Sequence, residues 1–128
     1  MNRDYKILLV TSILKLLDCL TTYYALSLKP ITVGNEIYAP YEANPHFRLL
    51  LEMFPNSILP YVLSFIIPIG FIFMYLKVHE YVVKNHPTQQ KIAKTLFKII
   101  IGYLIIMMTV IVVNNFYHIG LYYSLKNG

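Results

Sequence analysis

The sequence predicts an all-α integral membrane protein with three transmembrane helices and a short amphipathic or re-entrant helix in the loop between the first two. Three observations carry that reading. Of the 128 residues 57% are hydrophobic and only 13% charged, about half the charge of an average soluble protein, which is too little to coat so small a globule in water. Three apolar stretches each reach the roughly 20 residues that a helix needs to cross about 30 Å of hydrocarbon. The basic residues gather on one side of those stretches. Disorder is excluded by the same composition, because 15% aromatic residues and a mean hydropathy of +0.55 are the reverse of a disordered chain.

The chain, 1–128, reads as a single membrane domain. Its first span runs from about Ile7 to Leu28, with Arg3 and Lys6 ahead of it and Tyr23 and Tyr24 near its far end, where interfacial tyrosines belong. Ala25-Leu26-Ser27 has the small-x-small form of a signal-peptide cleavage site. Lys15 and Asp18 interrupt the apolar region such a leader needs, so the segment is read as a retained span. The second span, about 57–76, contains Pro68, which predicts a kink near Ser64 to Pro68 and a freed carbonyl that must find a partner. The third, about 96–117, is almost purely apolar from Ile99 to Val113 and ends near Tyr117 or Tyr123.

The short helix is placed at about 45–54. Asn44 is a favourable N-cap and Pro45 suits the first helical position. Phe47, Leu50, Leu51 and Phe54 then recur at i, i+3, i+4 and i+7. Ten residues are too few to span, so this helix lies in the interface or dips in from the outside. The stretch from Pro30 to Pro40 reads as turn-rich.

Charge sets the expected topology. Of the eleven basic residues, seven (Arg3, Lys6, Lys77, Lys84, Lys91, Lys94 and Lys98) flank one side, and three (Lys29, Arg48 and Lys126) flank the other. The positive-inside rule then places the N-terminus in the cytoplasm and the C-terminus outside. The net charge of +5 is explained by that asymmetry. Nucleic acid is not an expected partner, because the lysine loop has neither the arginines nor the aromatics of a reading surface. Contact with anionic lipid suits it better.

The informative residues are polar ones where lipid should be. Thr11, Lys15, Asp18 and Thr22 are spaced 4, 3 and 4, which keeps them within about 60° of arc on the first helix. An ionisable side chain near the midplane costs at least about 2.5 kcal/mol, so this stripe is expected to face a bundle or cavity. Asn114 and Asn115 enter the third span at the outer half, and Glu42 and Asn44 lie in the outer loop. Two accounts compete for these groups. In one, Asp18, Thr22, Glu42, Asn44, Asn114 and Asn115 form an outward-facing site for a proton, a cation or a small polar ligand. In the other, a Lys15 to Asp18 pair and interhelical hydrogen bonds merely fix packing.

An intramembrane enzyme acting on lipid, with Asp18 or Glu42 as acid or base, is a weaker third account for want of a nucleophile. His118 reads as part of an interfacial tyrosine belt. No cofactor is expected: the sequence holds no phosphate loop, no nucleophile elbow and no His-Glu-x-x-His spacing, and the lone Cys19 offers neither a disulfide nor a zinc pair. A cation held by Asp18, Glu42, His46 and His118 would require long-range convergence. Three helices are few walls for a polar stripe, so a homo-oligomer or a partner membrane protein is expected beside the lipid bilayer.

Asp18-Cys19-Leu20-Thr21-Thr22 in the first span, followed by Glu42-Ala43-Asn44-Pro45 before the short helix, resembles the Asp-x-x-Thr-Thr and Glu-x-Asn-Pro signatures of a family of small archaeal and bacterial integral membrane proteins of unknown function. The resemblance covers most of the chain. It implies that Asp18, Thr22, Glu42, Asn44 and Pro45 belong to one arrangement, and it implies no activity. Lys15 and the Asn114-Asn115 pair lie outside its motifs.

Overall fold

The computed structural model describes residues 2–39 and 44–128. Glu42 of the expected site therefore lies outside the described residues. The chain forms helix α1 (Arg3–Ser27), a two-stranded antiparallel hairpin of β1 (Ile31–Val33) and β2 (Glu36–Tyr38), and helix α2 (Pro45–Met53). Helix α3 (Leu59–Asn85) follows, then a single 3-10 turn (Pro87–Gln89) and helix α4 (Gln90–Asn127). α1, α3 and α4 are each long and apolar enough to cross a membrane. The fold class is all-α, as the sequence predicts.

Each helix begins for a local reason. Asn2 accepts a hydrogen bond from the Asp4 amide at 3.0 Å and caps α1, while Asn44 does the same for α2 through the His46 amide at 3.0 Å, with Pro45 as its first residue. α3 runs through Pro68 as one helix. The long helices exceed the expected spans because a span counts hydrocarbon thickness. Lys77 to Asn85, Gln90 to Thr95 and the turns beyond Tyr117 continue as polar or amphipathic helix past the apolar stretch.

The hairpin is the one element the sequence reading replaces with turns. Its register pairs Ile31 with Tyr38 and Val33 with Glu36, leaving Gly34-Asn35 as a two-residue turn. Gly34 has φ of 63°, the positive value that the first position of such a turn requires and that glycine adopts without a Cβ clash.

α1 and α4 run parallel, with α3 antiparallel to both. At one end the Arg3 guanidinium lies 4.3 Å from the Phe97 ring centre, and at the other the Tyr24 and Tyr123 hydroxyls share a hydrogen bond. Tyr122 donates to the Lys29 carbonyl and packs on Tyr38, which ties the hairpin to α4. The core is a small cluster of Ile72, Leu76, Phe97 and Ile101, towards the end that carries the N-terminus of α1. Most of the other large apolar side chains point outward: Phe71 is 67% exposed, Ile106 63% and Ile99 62%. Apolar surface on that scale, all round three long helices, is the complement of a bilayer. The protein is a multi-pass membrane protein.

Candidate functional site

The polar stripe of α1 faces the bundle. Thr11 is fully buried and donates back to the Ile7 carbonyl at 2.8 Å, as hydroxyls do in apolar helices. One and two turns on, Lys15 and Asp18 form an ion pair at 2.9 Å, and both side chains are largely shielded. Asp18 lies about eleven residues past Ile7, about 16 Å along the helix and near the middle of the span.

α4 meets this pair from across the bundle. The Asn115 Nδ2 donates to Asp18 Oδ1 at 2.9 Å and to the Thr21 hydroxyl at 2.9 Å, with the Thr22 hydroxyl further off at 3.3 Å. An amide nitrogen has two hydrogens, so the two shorter contacts take them. Thr22 then donates its own hydroxyl to Asp18 Oδ1 at 3.3 Å. Asp18 thus has Lys15 on one oxygen and Asn115 with Thr22 on the other. Thr21 donates to the Leu17 carbonyl at 2.7 Å while accepting from Asn115, so it locks the amide to the α1 backbone.

Beside the pair lies a cavity of about 240 Å³. Lys15, Asp18, Cys19 and Thr22 of α1 form one wall, and Ile111, Asn114 and Asn115 of α4 form another. Ser64 of α3 closes the third side. Its carbonyl is the one that loses an intrahelical donor to Pro68. The N-cap Asn44 and Phe47 of α2 complete the lining. Phe47 is buried edge-on against Tyr61, which packs in turn on Tyr23, and this aromatic run seats α2 on the bundle.

Of the expected site residues, the structure gathers Asp18, Thr22, Asn44, Asn114 and Asn115 around one space. Asn114 differs from its neighbour: it is exposed and lines the cavity, whereas Asn115 turns inward to α1. Sequence reasoning puts Lys15 on the inward stripe though not among the ligand contacts, and does not place Cys19, Ser64 or Phe47 at the site, nor Thr21 in its hydrogen bonding. Lys15 at i−3 from Asp18 and Ser64 at i−4 from Pro68 were the available signals. His118 is exposed, edge-on to Tyr117. Among the described residues no three His, Cys, Asp or Glu side chains converge as metal ligands. The chain matches no known protein family, no curated protein and no solved structure.

Proposed function

We propose that the protein binds or moves a small polar ligand in an outward-facing intramembrane site centred on Asp18, with Thr22, Asn44, Asn114 and Asn115 as its neutral contacts. The observation that carries this reading is the cavity itself. Four helices each send a polar side chain to one open space, and polar groups that served only as glue would close on one another. The Lys15 ammonium already supplies the counter-charge of Asp18. A proton or bare cation is therefore served less well than an uncharged or zwitterionic molecule, which finds a cation, an anion and amides together. At about 240 Å³ the space is below the roughly 300 Å³ of pockets for drug-sized ligands, so the occupant is small.

The orientation belongs to the same reading. The basic asymmetry puts the N-terminus in the cytoplasm and the hairpin, α2 and the cavity mouth outside. In a Cys19→Ser background a cysteine at Asn35 is then labelled only from outside and one at Gln89 only from inside, and the reverse pattern overturns this sidedness. A second copy or another membrane protein beside the exposed Asn114 would close the cavity on its α4 side.

A structural role is the second reading. One observation favours it: among the described residues no buried side-chain nitrogen or oxygen lacks a hydrogen-bond partner. Thermal unfolding in detergent across a panel of small amino acids, betaines and polyols separates the two readings. A ligand at a hundred times its Kd stabilises by about 2.7 kcal/mol. The binding reading predicts a raised midpoint for one class of solute in the parent and none in Asp18→Asn. A flat response of the parent, or equal shifts in both proteins, contradicts it.

A further inference from the structure

At the opposite end of the bundle a second cavity, of about 520 Å³, opens between the start of α1, the end of α3 and the start of α4. Each of the three helices contributes one cation to it: Arg3, Lys84 and Lys94. These residues are far apart in sequence and only the fold brings them together. Two carboxylates, Asp4 and Glu80, share the lining: Asp4 lies 3.6 Å from Arg3 and offsets part of its charge, whereas Glu80 lies 3.8 Å from Lys77, which is outside the lining. Lys84 and Lys94 make no ion pair among the described residues. Arg3 is held in place over the Phe97 ring, with its charge still at the cavity. The lining includes His79, only 7% exposed and stacked at 4.2 Å on Phe97.

The position decides what anion this is. The apolar run of α3 ends at about Leu76 and that of α4 starts at about Leu96, so the cavity lies just past the hydrocarbon, at the depth of lipid headgroups. Basic pockets between transmembrane helices at that depth hold phosphate headgroups. We infer that the cavity of Arg3, Lys84 and Lys94 is a binding site for the phosphate headgroup of an anionic phospholipid, which bridges the three helices at their common end. The site is separate from the Asp18 cavity and does not depend on a ligand there, but it rests on the orientation proposed above, which puts this end at the cytoplasmic face.

Native mass spectrometry of the full chain in detergent, titrated with phosphatidylglycerol and with phosphatidylcholine, tests the inference. The parent retains phosphatidylglycerol in preference. In Lys84→Gln/Lys94→Gln that affinity falls about thirty-fold, from about 1 kcal/mol for each lysine. Lys91→Gln/Lys98→Gln, with the same change of charge but both on α4 and outside the lining, keeps the parent's affinity. Equal losses in the two double variants, or no loss in either, would show only diffuse surface charge and overturn the site. Inorganic phosphate separates the sources: if it binds as tightly as the lipid and displaces it, the ligand is a soluble phosphate and the lipid assignment fails.

Discussion

Asn115 and Asp18, 97 positions apart, are joined by a 2.9 Å hydrogen bond from the amide Nδ2 to the carboxylate Oδ1. With the Asn115 bond to Thr21 it ties α1 to α4 near the middle of the bundle, and the adjacent Asn114 takes no part in it. The two asparagines therefore separate packing from site. Asn115→Ala is expected to lower stability by roughly 0.6 to 1.7 kcal/mol, the range for interhelical polar contacts in membranes. Asn114→Ala leaves stability within about 0.5 kcal/mol, as for substitutions away from structural contacts, while changing the cavity wall. Unfolding in detergent measures both, and equal costs for the two would contradict the assignment.

The Lys15 and Asp18 pair is a test of charge. Asp18→Leu leaves the shielded Lys15 ammonium with no counter-charge, and breaking such a pair costs about 3 kcal/mol or more. Lys15→Leu/Asp18→Leu removes both charges and is expected to recover most of that loss, because well-packed apolar replacements of ion pairs are often neutral or stabilising. A double variant no more stable than Asp18→Leu would mean that the pair is not what holds Asp18 in place.

α2 was legible because its signals are local: an Asn-Pro start and an i, i+3, i+4, i+7 apolar face. The three long helices were legible because hydropathy integrates over about 20 residues. The helix ends were not, since hydropathy stops at the membrane surface while backbone hydrogen bonding does not. The hairpin was missed although Ile-Thr-Val and Glu-Ile-Tyr flank Gly-Asn, a two-residue turn signal; three-residue strands offer too little periodicity to stand out. At the site, the α1 stripe could be read from spacing alone. Which of Asn114 and Asn115 faces it could not, because adjacent residues lie about 100° apart and the rotation of α4 is set by packing.

Asn44 links the loop to the site, because its side chain caps α2 and also lines the cavity. Asn44→Ala should cost about 1 kcal/mol, with faster amide exchange confined to the first turn of α2. In a double-mutant cycle with Asp18→Asn, read by thermal stability, the two changes are expected to couple by at least about 0.5 kcal/mol. Strict additivity would place α2 in the interface without a share in the site.

The central claim is that the space beside Asp18 is an open polar site, and Cys19 in its wall reports on it directly. In right-side-out and inside-out membrane vesicles, a small, charged, membrane-impermeant thiol reagent is expected to modify Cys19 of the folded parent, and only from the face that carries the hairpin and α2. A Cys19 that stays unmodified from both faces, yet reacts once the protein is unfolded in detergent, would show the space to be closed and dry. That result would contradict the site and leave Asp18, Lys15 and Asn115 as packing alone.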